Sequence, residues 1–551
     1  MDRSPAPALG APQGLHRIED LPGPRGLPPI GNLFQLRQAN MHQGVERWCR
    51  EFGPLFAFRI LRQRIVVLAD HELIAAVLRN RPDGWRRSSR LQRVGREMGL
   101  TPGLFGAEGE VWRRQRRMVM SGLDPGRVRA YFPALWRVGA RLQRRWQRAA
   151  RTGQALDLQA ELMRYTVDTV AGLAFGTDIN TLESDGVVIQ HHLDRIFPAL
   201  YRRVMSPLPY WRWFKLPADR ALDRSVAEVQ RAIAGFVAEA RGRLQADPSR
   251  REDPPNLLEA MLVAAEEGSG IDDTQVSANV LTLLLAGEDT TAHTLAWLLH
   301  LLHRHPQALA QARDEARRVA GDASAITPEQ LAELEFLEAC LHETMRLKPV
   351  APFVVLEALR EAGIGDLRVP PGTLLWCAMR HDSLQARHFE RPLEFDPLRW
   401  LAKESPGSAK RVAMPFGAGP RTCPGRYLAL TEMKMMLAML LANFEIESVE
   451  ALGGGEVEER MSFTMVPVGL RMRLRERLAR TRRPDEAQGL PPSFVDESGR
   501  RTDNDGDPSV VVPREILRWT TRDKGGHFVA TEQPEVLAHE MHECFRPPRG
   551  T

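Results

Sequence analysis

PFGAGPRTCPGRYLAL, residues 415–430, crowds glycine and proline around one cysteine and then gives way to a helical pattern running from about Arg426 to Phe444. That order sets the Cys423 sulfur near a helix N-terminus, where unpaired N–H groups and the positive dipole end favour a thiolate. The glycines permit turns of positive φ and let a bulky flat group approach the backbone, and Pro424 withdraws one N–H donor. A lone cysteine is ordinarily a small buried hydrophobe, and no second ligand stands near enough in sequence for zinc. Against that stands the pattern F-x-x-G-x-R-x-C-x-G, which fixes Phe416, Gly419, Arg421, Cys423 and Gly425.

The rest of the chain sets the bounds. Its 551 residues exceed the usual single-core size, so two domains or one unusually large one are expected. A composition of 43% hydrophobic and 26% charged residues is that of a soluble globular protein with material for a large core. Cys49, Cys340, Cys377, Cys423 and Cys544 are scattered and odd in number, which fits no disulfide framework and suits a reducing, cytoplasmic compartment. The N-terminal stretch has no apolar h-region, so neither a secretory signal nor a membrane anchor is expected. The longest apolar run, Val280 to Leu302, is interrupted by Gly287, Glu288, Asp289, Thr290 and Thr291, and reads as a buried helix. The net charge of +5 comes from arginines interleaved with acids, not from the focused patch that nucleic acid requires. WRRSSRL (85–91) and WRRQRRM (112–118) read as solvated faces or anion contacts, and a basic face would also steer an acidic protein partner.

Along the chain, LPGPRGLPPIGNL (21–33) is a Pro/Gly hinge, and PLFAFRILRQRIVVLAD (54–70) carries a hairpin signal. Helical spacing dominates from about Arg127 to Leu302, and a further helical block spans 328–349. Strand-like pieces follow at FVVLEAL and TLLWCAM. Beyond about Leu474 the composition turns polar and turn-rich.

The cysteine loop resembles the haem-ligand loop of the cytochrome P450 monooxygenases, and the rest of the chain extends the likeness. The family's A/G-G-x-D/E-T-T signature is matched by AGEDTT (286–291), its W-x-x-x-R by Trp112 and Arg116, its E-x-x-R by Glu343 and Arg346, and its F-x-P-x-R-W segment by FDPLRW (395–400). The resemblance covers residues 21–476 and implies a mainly α fold with small β-sheets. It leaves 1–20 as a flexible leader, 477–510 as a disordered linker and 511–551 as a short C-terminal extension. By the same likeness, Cys423 is the axial ligand of the iron in haem b. Trp112, Arg116, Ala286, Phe416, Arg421 and Gly425 contact the cofactor. Asp289 and Thr290 form an acid–alcohol pair that delivers protons to dioxygen, the co-substrate, and Glu288 has no assigned role. Glu343, Arg346 and Arg399 form a structural lock. Glu357 stands where many members carry a propionate-binding arginine, with Arg360 as the nearby alternative. His293 and the other histidines are not needed as ligands, and most are expected at the surface or in loops.

The implied reaction places one oxygen atom in an apolar small-molecule substrate, the other leaving as water. Too few residues follow the haem domain for a fused flavin reductase, so a ferredoxin or flavodoxin-type donor with its reductase is expected. Peroxide-driven oxygenation is disfavoured by Asp289 with Thr290, and a haem sensor would need no AGEDTT helix. Residues 511–549 resemble the C-terminal end of an α/β-hydrolase epoxide hydrolase, with His527 at the catalytic histidine position. No nucleophile elbow or parallel sheet precedes them, so no hydrolase activity is expected.

Overall fold

The computed structural model describes residues 16–477 apart from 177, 184–187, 267–269, 322–325 and 402–405. The tail with His527, and Cys544 within it, lies outside the described residues, as does most of the leader. Residues 16–20 of that leader are held in place: the His16 N–H donates to the Asp366 carbonyl at 2.8 Å, and Ile18 is buried.

Seven helices bear on the site and are numbered in chain order: α1 (His71–Arg79), α2 (Gly109–Met120), α3 (Leu158–Phe175), α4 (Val188–Met205), α5 (Asp273–Arg304), α6 (Glu335–Leu347) and α7 (Arg426–Asn443). α5 starts at a reciprocal cap in which Asp272 accepts from the Gln275 N–H while the Gln275 side chain reaches back. Apolar side chains on nearly every face then bury it. It lies so close to α3 that a Cβ on Gly287 would stand 2.7 Å from Val170 Cγ2, so a small residue is required there. α7 is likewise buried over Glu432–Ala442, which explains why it shows no amphipathic period.

The helical block at 328–349 is two helices, Pro328–Ala332 and α6. The break has a local cause. The Glu315 carboxylate accepts the N–H groups of Phe336 and Leu337 at 2.8 and 2.9 Å and so caps a new helix start there. No helix of the described residues is long and apolar enough to cross a membrane.

The main sheet contains β1 (Leu55–Ile60), β2 (Gln63–Leu68), β3 (Trp85–Arg87), β4 (Phe353–Ala358) and β5 (Leu374–Ala378) in the order β1-β2-β5-β4-β3. β1 and β2 form the expected hairpin, with Leu55 opposite Leu68 and Ile60 opposite Gln63. β3 pairs antiparallel with β4, setting Arg86 opposite Glu357 and Arg87 opposite Leu356. This last pairing brings the WRRSSRL stretch to the site.

Candidate functional site

The cysteine loop is shaped by three residues of positive φ, Met414, Gly417 and Gly419 (40°, 74° and 71°). The Gly417 N–H closes on the Met414 carbonyl at 2.9 Å and the Cys423 N–H on the Phe416 carbonyl at 3.0 Å. At Gly419 a Cβ would stand 2.6 Å from the Leu78 carbonyl oxygen, so this glycine is required twice, by its φ and by its contact with α1. Gly425, the residue before α7, is different: its φ is −84° and nothing lies within 4 Å of where a Cβ would be. Neither backbone strain nor a protein neighbour accounts for a glycine there.

Cys49, Cys340 and Cys377 are buried and Cys423 is exposed. Yet protein surrounds Cys423 closely enough that burial pushes its thiol up, against the opposing pull of the Gly425 N–H, Arg116 and Arg426. A sulfur both accessible and hemmed in faces an internal void. The N-terminal setting and burial thus pull this thiol in opposite directions.

α5 shows the same combination. Ala286 is exposed and Leu283 and Thr290 are half-buried, whereas Leu284, Leu285, Glu288 and the residues from Thr291 to Leu299 are buried. Positions 283, 286 and 290 share one helical face, so a stripe of a core helix looks onto open space. Thr290 Oγ1 donates to the Ala286 carbonyl at 2.7 Å. Asp289 Oδ2 accepts from the Thr464 hydroxyl, and Oδ1 lies 3.2 Å from His293 Nδ1. His293 is buried at 3% exposure, as are His42 and His381, while the other described histidines are half-buried or exposed.

Thr464 has no motif in the sequence. It is presented by a turn whose tip, Phe463, holds φ at 83°, a costly value for a phenylalanine. Phe463 stacks on Phe197 at 4.5 Å and lies 5.9 Å from Phe105, forming an aromatic wall. Glu288 is 3% exposed with Oε1 unpartnered, and burial, reinforced by Asp194 and Asp289, pushes its carboxyl well up. The Asp194 carboxyl is pushed up to about 6 by burial and then by Asp289.

Arginines gather on the other side. Arg421 donates to the Ala107 carbonyl at 2.7 Å and pairs with Glu108, its Cζ lies 4.6 Å from the Trp112 ring centre, and its Nε has no partner. Arg81 is 4% exposed, with Nε and Nη2 unpartnered and Glu108 no nearer than 3.9 Å. Arg87 lies 3.6 Å over the Phe105 ring and donates to the Phe105 carbonyl at 3.2 Å. Burial depresses all three and Arg116 too, with Arg421 brought down to about 10. Arg81, Arg87 and Arg421 thus share one carboxylate, Glu108, Arg116 stands beside Cys423, and buried donors are left over. Such a cluster suits a ligand that brings carboxylates. Glu357 is not among them: it accepts from Arg86 and, at 2.7 Å, from the Ser89 N–H. Arg360 is exposed. Arg87, one strand over on β3, stands in the cluster beside Arg81 and Arg421.

The lock is fully assembled. Arg346 forks onto both Glu343 oxygens at 2.8 Å, with both residues 0% exposed, and Arg399 Nε joins at 3.0 Å. Trp400 Nε1 donates at 2.8 Å and the Asp396 N–H at 3.0 Å, so the buried carboxylate is saturated. The motif contains Trp400 without assigning it to the lock, and gave no sign of the Asp396 N–H.

A family model described as Cytochrome P450 matches residues 21–473. Among curated proteins, cytochrome P450 3A6 of Oryctolagus cuniculus is 26% identical over 446 residues, covering 79% of this chain and 87% of the relative. Cyclooctat-9-en-7-ol 5-monooxygenase of Streptomyces melanosporofaciens is 28% identical, covering 72% and 83%. A self-sufficient cytochrome P450 monooxygenase of Penicillium freii is 28% identical over 83% of this chain, which spans only 43% of that relative's length. Among solved structures, the cytochrome P450DA heme domain superposes with a TM-score of 0.73 at 25% identity, covering 86% of this chain and all of that one.

Proposed function

The chain belongs to the cytochrome P450 family of monooxygenases, which use haem b and dioxygen, and on that premise we propose that it oxygenates an apolar organic substrate at a haem held by Cys423. The observation that carries this reading is an accessible thiol and an accessible stripe of α5 inside an otherwise buried interior. Bare backbone at Gly425 and surplus buried guanidiniums fit the same flat dicarboxylate.

When bound, haem supplies the centre for dioxygen reduction, and electron donation from a thiolate ligand favours O–O cleavage. The polypeptide does the rest. Cys423 gives up its proton on ligation, helped by the N-terminus of α7 and by Arg116 and Arg426. Arg81, Arg87, Arg116 and Arg421 would hold the haem carboxylates, with Trp112 packed against Arg421. Ala286 and Phe416 would contact the cofactor, the small side chain of Ala286 leaving room on α5. Thr290, whose O–H is committed to the Ala286 carbonyl, keeps its oxygen lone pairs for a water. Asp289, steadied by Thr464, moves protons toward that water. Phe105, Phe197 and Phe463 form an apolar wall for substrate. Glu343, Arg346 and Arg399 hold the scaffold without entering the chemistry.

Electrons come, on this reading, from a separate ferredoxin or flavodoxin-type donor with its reductase, in the cytoplasm. The exposed Arg117, Arg129 and Arg426, on α2, at its C-terminal side and at the start of α7, support an acidic docking partner. Arg129→Glu is expected to slow reduction at low ionic strength; an unchanged rate removes that docking face. The ligation itself is tested by reducing the protein with dithionite under carbon monoxide. A strongly red-shifted Soret band, lost in Cys423→Ser, is expected; a histidine-like band in the wild type refutes the assignment.

A further inference from the structure

A second cluster of ligating side chains lies away from the Cys423 void. His71 opens α1, Asp382 opens the 3₁₀ turn Asp382–Leu384, and His388 follows shortly after it. One ligand atom from each of the three falls within 4.8 Å of the other two. Asp382 is 1% exposed, and its Oδ2 lies 2.8 Å from His71 Nδ1 and 3.4 Å from His388 Nε2. The two imidazole rings meet edge to face, with centres 4.7 Å apart.

We infer that His71, Asp382 and His388 form a binding site for a divalent transition metal of the zinc class. Zinc bonds of 2.0–2.2 Å in tetrahedral geometry set neighbouring donor atoms about 3.4 Å apart. The Asp382–His388 separation already has that value, and the Asp382–His71 separation is shorter by a few tenths of an ångström. His388 Nε2 is buried 3.4 Å from the carboxylate and has no hydrogen-bond partner. A metal supplies what it lacks. Two imidazoles and one carboxylate select zinc-class ions over calcium or magnesium, which prefer all-oxygen shells.

The support around the ligands is also in place. Arg387 pairs with Asp382 Oδ1, the oxygen the metal leaves free, and the His71 N–H fixes Oδ2 at 2.9 Å. The neighbouring Ser383 carbonyl accepts from Arg346 at 2.6 Å, which ties the turn to the buried lock. Both imidazoles are partly exposed, at 15% and 19%, and give the ion an entry path and a water as fourth ligand. Coordination trades the His71–Asp382 hydrogen bond for two metal bonds and releases the proton it held. The ion would pin the start of α1, the helix on which Gly419 of the cysteine loop packs, to the 382–388 segment.

The test is equilibrium dialysis of the EDTA-stripped, haem-loaded protein against Zn²⁺, so that Cys423 is not a competing thiol. One tight equivalent is expected, weakened at least tenfold in His388→Gln and in His71→Gln, with the carbon monoxide spectrum of His388→Gln unchanged as the control for folding. A rise in unfolding temperature with Zn²⁺ that both variants lose would support the same site. Zinc held elsewhere, for example by His539, His542 and Cys544, survives both substitutions; that result, or no bound equivalent, overturns the assignment.

Discussion

Glu432 provides the sharpest test of how this interior handles charge. It sits on α7 at 1% exposure with Oε2 unpartnered, and burial pushes its carboxyl from 4.5 up to about 8, only partly opposed by a hydrogen bond to Thr291. In the unfolded chain the same group titrates near 4.5. Below that pH both states hold the proton and Glu432 contributes no pH dependence. Between the two values the folded protein keeps a proton the unfolded chain has lost, so stability falls as pH rises, by about 1.4 kcal/mol per pH unit for one group. Above about pH 8 the penalty is constant. Over the two units from pH 5.5 to 7.5 this amounts to roughly 2.5 kcal/mol. Glu432→Gln removes the titration, and any fixed cost of the amide cancels when the two pH values are compared. The assay is guanidinium unfolding of the haem-loaded wild type and variant at both pH values. The variant is expected to gain roughly 2.5 kcal/mol on the wild type between pH 5.5 and 7.5. A gap that stays constant to within about 0.5 kcal/mol would mean that Glu432 is ionised or hydrated in the folded protein, and the reasoning would fail.

Asp289→Asn should lower turnover about 100-fold or more, the usual scale for a lost proton donor, while Glu288→Gln, replacing a carboxyl that burial keeps protonated, should change it less than about threefold; steady-state rates with a reconstituted electron donor decide, and the reverse order would refute the division of roles. Arg346→Met strands Glu343 at 0% exposure and should cost about 3–5 kcal/mol, read from the unfolding midpoint; a loss under about 1 kcal/mol would show that Arg399 and Trp400 suffice. Gly419→Ala should destabilise by about 1–3 kcal/mol through its φ and the Leu78 carbonyl, whereas Gly425→Ala should leave stability within about 0.5 kcal/mol and instead speed haem loss to apomyoglobin. Equal haem retention in Gly425→Ala and wild type would place the ring elsewhere.

What the sequence made legible was whatever lies within one turn or one helix. The loop around Cys423, the α5 signature and the Glu343–Arg346 spacing are local, and their backbone geometry follows from residue type. What it hid depends on distant pairing. Arg87 reaches the site because β3 pairs with β4 some 270 residues away, a register that also ties Glu357 to Arg86. Thr464 meets Asp289 across 175 residues, and His71 meets Asp382 across 311. The split of the 328–349 block was equally hidden, since it is made by Glu315 from the preceding helix. The burial of His293 was hidden too, since it follows from α5 being covered on nearly all sides.

The distribution of charge across the interior follows a single logic. Around Cys423 stand guanidiniums, and although burial depresses them, Arg421 at about 10 stays protonated at neutral pH. Around α5 stand carboxyls, and the same burial there removes charge, holding Glu288 and Glu432 neutral. Desolvation penalises both kinds of ion, yet a carboxyl has a proton within reach to take up and a guanidinium loses its own only at far higher pH. The interior is therefore left with net positive charge on one side and a reserve of protons on the other. The first condition calls for an anionic ligand to complete the fold. The second places exchangeable protons beside the α5 stripe, where Asp289 accepts from the Thr464 hydroxyl and lies 3.2 Å from His293 Nδ1, the setting on which its proposed proton transfer rests.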